Sequence, residues 1–399
     1  MKIAFFSYEY PTETGGGGIG TYLYNCVQYF PQYGHKVVVF CGTSKSESFW
    51  ENEHVYRIPS QNWVDFNNVL PLFFQDIHSD IIFEVAEGTD FMAGGIEIKR
   101  QFPQIPFVVR AHTANYITEQ FLFRPLNLLE KLRFTLGAIK RGKLPVFPHP
   151  PLEENFYFEK EIIMGCDLVI SPSISLAEKY KSMNWLNDYI YVPLPILADE
   201  KILKLANTRE KVENIVYFGR LELRKGVHLL AKAIPSILKQ FPEINFHFIG
   251  NASTSPIKGL KMDEYLKKKF AGISRVTIHP AVPPDKIADI LDMGDLFVFP
   301  SLFDSFGLVC CEAMSAGKPV IGSILSEMKL IIKDGITGLL TNPLIKEDIA
   351  KKIIYMIQNY QQAKEMGEKG RDDIFKLFHP DLIIPEQILA YQKAIENKK

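Results

Sequence analysis

The stretch from Phe299 to Val320 holds the densest chemistry in this chain. Asp304 and Glu312 flank Ser305-Phe306-Gly307-Leu308, which reads as the entry to a helix that stops at Gly317 before a new strand at Pro319-Val320. With Ser305 as the N-cap, Phe306, Gly307 and Leu308 present free backbone N–H groups at the positive end of the helix dipole, a seat for a diphosphate. Glu312 lies two turns further in, where its two oxygens can take the two hydroxyl protons of a ribose, while Asp304 reaches sugar hydroxyls. A helix-start acid and an ordinary helix glutamate would explain each carboxylate singly. Their joint spacing with Phe-Gly-Leu and Gly-x-Pro-Val is what points to a ligand.

The opposite charge comes from Gly219-Arg220-Leu221-Glu222-Leu223-Arg224-Lys225-Gly226. It follows the strand-like run Ile215–Phe218, so Arg220 and Lys225 fall in a loop at the carboxyl end of a strand, the edge where open parallel sheets bind ligands. Two cations there offset the charge that builds on a departing nucleotide diphosphate. Arg224 is expected to face solvent. The sequence has no D-x-D, H-x-x-x-H or C-x-x-C spacing, so the expectation is a nucleotide-diphosphate substrate, no cofactor and no metal.

Gly15-Gly16-Gly17-Gly18-Ile19-Gly20 contains G-x-G-x-x-G, the letter pattern of a dinucleotide site. The context argues against one. The second strand ends Phe40-Cys41-Gly42-Thr43-Ser44 with no carboxylate for ribose hydroxyls, and Tyr8 to Thr14 is too long for the tight turn. Gly17 and Gly18 instead let backbone N–H groups approach a phosphate or sugar at a helix start, unless the run is only a flexible turn.

These segments need two scaffolds. Apolar runs alternate with stretches of helical period in two series, the mark of parallel βαβ units. The first runs through 2–8, 36–41, 81–85, 107–111, 168–171 and 189–192, the second through 215–219, 246–250, 276–279, 296–300 and 319–322. Between them lies Val192-Pro193-Leu194-Pro195. The expected fold class is therefore α/β, with two Rossmann-like domains over residues 1–195 and 196–378. A last helix at 379–399, after the break at His379-Pro380, either caps the second domain or returns to the first.

Composition narrows the setting. The formal net charge of −1 gives no overall pull toward nucleic acid. Cys26, Cys41, Cys166, Cys310 and Cys311 show no paired spacing and read as reduced core thiols, which favours a cytoplasmic setting. Met1 to Ser7 reads as a first strand rather than a leader, because Tyr8-Glu9-Tyr10-Pro11 follows, and no run approaches a membrane span.

Together these motifs resemble glycosyltransferase family 4, and the resemblance spans nearly the whole chain. Its parts are Gly17-Gly18 through Gly34-His35-Lys36-Val37, Gly219-Arg220 with Lys225-Gly226, and Asp304 through Glu312 in place of the family's E-x7-E. The resemblance implies a GT-B fold, with parallel sheets facing each other across a cleft, and a retaining, metal-independent transfer of a hexose-type sugar, a UDP-sugar being favoured. It implies catalytic roles for Arg220, Lys225, His112 and Asp304, the two cations on the diphosphate and His112 near the transferred sugar. Glu312 would take the ribose, Ser305 to Leu308 the phosphate and sugar, and Ala281 and Val282 the base. It also implies that the 379–399 helix crosses back to the first domain. Asp304 departs from the family's usual Glu, shortening its reach by roughly 1.3 Å.

For the acceptor, a glycan, glycolipid or small molecule, Glu87 and Asp90 follow the run ending at Val85 and could bond its hydroxyls. Residues 120–143 mix apolar side chains with six basic residues against Glu130 alone. Such a stretch suits peripheral contact with the inner face of an anionic membrane near a lipid-linked acceptor. A helix packed on the first domain with a solvated basic face fits it equally. A nucleotide-sugar epimerase of the same fold and a non-catalytic glycosyltransferase-like subunit are the competing readings.

Overall fold

The computed structural model describes residues 1–15, 17–123, 128–139, 149–196, 200–205, 209–345 and 347–398. Gly16 of the glycine run, and 124–127 and 140–143 of the basic stretch, lie outside the described residues.

Two sheets form, one from each series of apolar runs. The first contains β1 (Lys2–Phe6), β2 (Lys36–Thr43), β3 (Phe49–Asn52), β4 (Val55–Pro59), β5 (Val85–Thr89), β6 (Phe107–Arg110), β7 (Leu168–Ser171) and β8 (Ile190–Tyr191), in the order β3-β4-β2-β1-β5-β6-β7-β8. The second contains β9 (Asn214–Phe218), β10 (Asn245–Ile249), β11 (Val276–His279), β12 (Leu296–Phe299), β13 (Val320–Ser323) and β14 (Leu339–Thr341), in the order β11-β10-β9-β12-β13-β14. Every pairing is parallel except β3 with β4. Parallel strands need helical crossovers that cover both faces, which favours continuous apolar runs: Val37, Val38, Val39 and Phe40 of β2 are all fully buried.

The strand expected at 81–85 begins later. Asn62 caps a helix over Trp63–Ile81 by accepting from the Val64 and Asp65 N–H groups, and this helix absorbs Ile81 before the chain turns at Ile82 (φ 55°). The strand is then Val85–Thr89, which places Glu87 within it rather than after it.

The crossing between the sheets is pinned from both sides. Arg110 Nη1 donates to Val192 O at 2.9 Å and Asn25 Nδ2 to Pro195 O at 3.2 Å. The outgoing and returning chains touch where Ile196 N donates to Phe378 O at 3.0 Å. His379, held out of the helical region by Pro380 (ψ 138°), ends one helix, and the last helix over Pro380–Lys398 packs against β5 and β6 of the first sheet. There Tyr391 Oη donates to Glu87 Oε2 at 2.6 Å, and Lys398 Nζ pairs with Asp167 at 2.9 Å. All five cysteines are free thiols, and Cys26, Cys41, Cys310 and Cys311 are buried.

Candidate active site

The long connection after β1 is folded back by its own polar groups. Thr14 Oγ1 donates to Tyr8 O at 2.6 Å, and the buried Arg57 donates to Pro11 O at 2.6 Å and to Gly42 O at 3.2 Å. This delivers Gly17 as the N-cap of the helix Gly18–Tyr29, an end that no side chain caps. The glycine run comes close to its neighbours, tightly at Gly17 and at ordinary contact distance at Gly18. A Cβ on Gly17 would lie 3.1 Å from Glu9 Oε2 and 3.3 Å from Arg220 Nη2, and one on Gly18 would lie 3.6 Å from Leu308 Cδ1. The glycine loop of one sheet thus faces Arg220 and Leu308 of the other across a cleft.

On the far side the helix runs from Leu308 to Ser315, and its N-cap is Gly307 at φ 88°, not Ser305. The left-handed cap favours glycine, and among the described residues no side-chain hydrogen bond caps this N-terminus. Its free N–H groups therefore lie where Gly307, Leu308 and Val309 border the cleft. Ser305 instead joins the two halves, its hydroxyl donating to His112 O at 2.8 Å.

The cations are not equivalent. Lys225 Nζ pairs with Asp304 Oδ2 at 2.5 Å, and burial pushes the Lys225 pKa down while Asp304 opposes that shift. Arg224, expected to face solvent, is buried, pairs with Glu222 at 2.7 Å and donates to Phe303 O at 3.3 Å. The carbonyl of Arg224 also accepts from Leu302 N, so this loop locks onto the Asp304 loop. Arg220 is exposed, borders the cleft, and forms no ion pair among the described residues. The positive charge most available to an incoming anion is therefore that of Arg220.

His112 closes the cleft from the first sheet. Its backbone N–H donates to Asp90 Oδ1 at 2.7 Å, its ring lies 5.3 Å from that of Tyr22, and its Nε2 is buried with no partner among the described residues. Burial, assisted by the Arg110 charge, pushes its pKa down to about 3, so the imidazole is neutral at physiological pH. Glu312 is half-buried one turn beyond Leu308, and burial pushes its pKa up to about 8.

The comparisons with known proteins agree with this architecture. Residues 199–373 match the family model of glycosyl transferases group 1, and residues 16–192 match that of Glycosyltransferase Family 4, so the two models between them span both sheets. The chain belongs to glycosyltransferase family 4. Among solved structures, this family 4 glycosyltransferase is similar to sucrose-phosphate synthase from Thermosynechococcus elongatus, with a TM-score of 0.73, 19% identity and 99% of each chain covered. It is also similar to Anabaena HepE solved with UDP-glucose, with a TM-score of 0.67, 17% identity, and 99% of this chain and 98% of that one covered. At such identities the likeness speaks to the GT-B fold. Over 251 residues the chain is 27% identical to a D-inositol 3-phosphate glycosyltransferase of Corynebacterium urealyticum, spanning 59% of this chain and 58% of that relative, less than two thirds of the relative's own length.

In this family 4 glycosyltransferase, the cleft brings together Gly17, Gly18, His112, Arg220, Lys225, Asp304, Ser305, Phe306, Gly307 and Leu308. Ala281 and Val282 are exposed beyond the end of β11 and do not border it, and Glu312, expected at the ribose, is likewise not among the residues that line it. The acceptor role drawn for Glu87 and Asp90 is corrected by their burial. Glu87 accepts from Tyr22 Oη at 2.7 Å and from Tyr391 Oη, beside the Arg110 guanidinium at 3.8 Å. Asp90 accepts from the N–H groups of Phe91, His112 and Thr113 and from Tyr180 Oη. Both carboxylates are spent on the scaffold.

Sequence reasoning missed Glu9 and Thr113. Glu9 lies under the glycine loop with Oε2 buried and unpartnered, and burial pushes its pKa up against the pull of Arg220. Its signal was available: a carboxylate in a connection too long for a simple turn. Thr113 carried no signal beyond its place next to His112.

Proposed function

We propose that this protein is a retaining, metal-independent hexosyltransferase that moves a sugar from a nucleotide diphosphate donor, a UDP-sugar being favoured, to a hydroxyl of a glycan, glycolipid or small-molecule acceptor. The observation that carries this reading is the position of Arg220, a cation that forms no ion pair among the described residues, facing the Gly17–Gly18 loop and beside the uncapped helix start at Leu308. Two helix N-termini and one free guanidinium converging on one cleft suit a pyrophosphate better than any neutral ligand. The complex of Anabaena HepE with UDP-glucose supports the choice of nucleotide.

In this mechanism the donor diphosphate lies between Arg220, Lys225 and the 307–309 amides, which stabilise the charge developing on the leaving phosphate. The sugar points toward His112. Being neutral, His112 can orient a hydroxyl but carries no proton to donate as a cation. The buried Asp90 and Glu87 are saturated with hydrogen bonds, which disfavours either as a nucleophile. Attack on the same sugar face, with a leaving phosphate oxygen taking the acceptor proton as the anomeric C–O bond breaks and the new one forms, needs only positioning and electrostatics.

A lipid-linked acceptor at an anionic membrane surface is part of the proposal. On the helix Leu128–Ile139, Leu128, Leu132, Leu136 and Ile139 recur at helical spacing and are 76, 53, 61 and 62% exposed. An apolar row of this kind within a basic stretch suits an interfacial helix. Among the described residues no helix is long and apolar enough to cross a membrane.

The test is nucleotide release from UDP- and GDP-sugars, with and without candidate acceptors and chelator, together with the anomeric configuration of the product. Acceptor-dependent release that survives chelation and retains configuration is the expected result. An epimerised sugar without release, or binding without turnover, would overturn it. Flotation with vesicles containing anionic lipid tests the membrane contact, and loss of binding in L132D/L136D is expected.

A further inference from the structure

The turn after β6 has an unusual distribution of hydrogen bonds. Asp90 takes the N–H groups of Phe91, His112 and Thr113, at 2.8, 2.7 and 3.0 Å. Tyr180 Oη takes that of Ala114 at 2.7 Å. Glu159 takes those of Met92, Asn115 and Tyr116, at 2.8, 2.7 and 3.0 Å. The helix Asn115–Leu122 therefore starts on carboxylates supplied from elsewhere, and no side chain at its own N-cap bonds it.

The consequence falls on Thr113. A threonine just before a helix ordinarily caps it, but here the N–H groups it would serve are occupied. Its hydroxyl is buried, has no hydrogen-bond partner among the described residues, and belongs to a residue only 6% exposed that borders the cleft. Its backbone sits at φ 127°, a region that β-branched side chains avoid, and the Asp90 clamp on two successive N–H groups is what holds it there. Beside it, His112 Nε2 is likewise buried and unpartnered. Two orphaned polar atoms on consecutive residues that line the cleft, one of them on a strained turn residue, are suited to receive a hydroxyl group.

We propose that Thr113 contacts the transferred sugar, its Oγ1 and His112 Nε2 together holding a hydroxyl of the hexose, with Asp90 as the positioning residue that aims both. This rests on the donor reading above and adds a specificity-determining residue to it. Oγ1 can donate and accept, and neutral His112 does one or the other, so the pair fits a sugar hydroxyl and has no charge with which to hold a phosphate.

The experiment is titration calorimetry of the full chain and its Thr113→Val and Thr113→Ser variants with UDP, UDP-glucose, UDP-galactose, UDP-N-acetylglucosamine, GDP and GDP-mannose. Valine keeps the β-branch and removes only the hydroxyl. Thr113→Val is expected to bind UDP and GDP as wild type does, and to weaken the best-bound nucleotide sugar about 10- to 100-fold, while Thr113→Ser stays within about threefold. Deoxy analogues of that sugar locate the contact: one deoxygenation should weaken wild type but leave Thr113→Val unaffected. Unchanged sugar binding by Thr113→Val, or a parallel loss of bare diphosphate and of melting temperature in both variants, overturns the proposal. So does a wild type in which no sugar adds affinity to its diphosphate. Binding is read without turnover, so an inactive wild type whose sugar affinity depends on Thr113 would refute the transferase reading alone.

Discussion

Lys225 and Asp304 make the charge balance of the cleft testable. Their side chains meet at 2.5 Å with only 16 and 9% exposed, so replacing Lys225 by Ala removes a cation and also leaves a carboxylate facing the diphosphate. At an effective dielectric of about 20, two charges about 4 Å apart interact by roughly 4 kcal/mol, or about three powers of ten in affinity. UDP binding by Lys225→Ala should therefore fall by up to about 1,000-fold. Adding Asp304→Asn removes the bare carboxylate and should restore at least tenfold of that loss, whereas Asp304→Asn alone frees Lys225 and should tighten UDP binding. Calorimetry on the four proteins of this cycle measures the coupling directly. A double variant no better than Lys225→Ala, or an Asp304→Asn that weakens UDP as much as Lys225→Ala does, would refute the claim that Asp304 governs Lys225 in the working site.

Arg220→Ala should lower affinity for UDP by roughly 10- to 1,000-fold and affinity for uridine hardly at all, because its guanidinium is the cleft cation without an ion-pair partner among the described residues; the salt dependence of UDP binding should weaken with it. Glu312 carries a pKa pushed up to about 8 by burial, and a ribose diol that bonds its ionised form must lower that value. Donor affinity should then rise about fivefold from pH 7 to 8 and level off above about pH 9, proton release accompanying binding on the acid side, and Glu312→Gln should flatten the profile. Glu87→Ala strands the buried Arg110 guanidinium and should cost about 3–5 kcal/mol of stability by denaturant unfolding, whereas Tyr391→Phe, which removes one hydrogen bond to Glu87, should cost about 1 kcal/mol. Gly226→Ala would place its Cβ 1.8 Å from Pro300 O at φ 68°, and should lower the melting temperature and UDP affinity together.

What the sequence determined by itself is what depends on neighbours within a turn or two. Alternating apolar runs and helical periods define two parallel sheets, because burial on both faces demands uninterrupted apolar strands such as Val37 to Phe40. The helix start near Leu308 and the loop with Arg220 and Lys225 were legible for the same reason, since glycines and caps act locally. Glu87 was misplaced because Asn62 starts a helix that runs through Ile81, and apolar residues such as Ile81 suit a buried helix end as well as a strand.

Only the tertiary structure decided which charges are free and which are spent. Lys225 meets Asp304 across 79 positions of sequence, and Ser305 meets the His112 carbonyl across 193. The first contact exists because β9 and β12 pair side by side in the second sheet and bring their following loops together, the second because the two separately formed sheets present their carboxyl edges to one cleft, and no local pattern encodes either approach. The same holds for Thr113. Its unused hydroxyl follows from carboxylates at 90 and 159 that arrive from other elements and take the N–H groups it would have capped. A hydrogen bond is assigned by which groups reach each other first in space, and spacing along the chain does not contain that information.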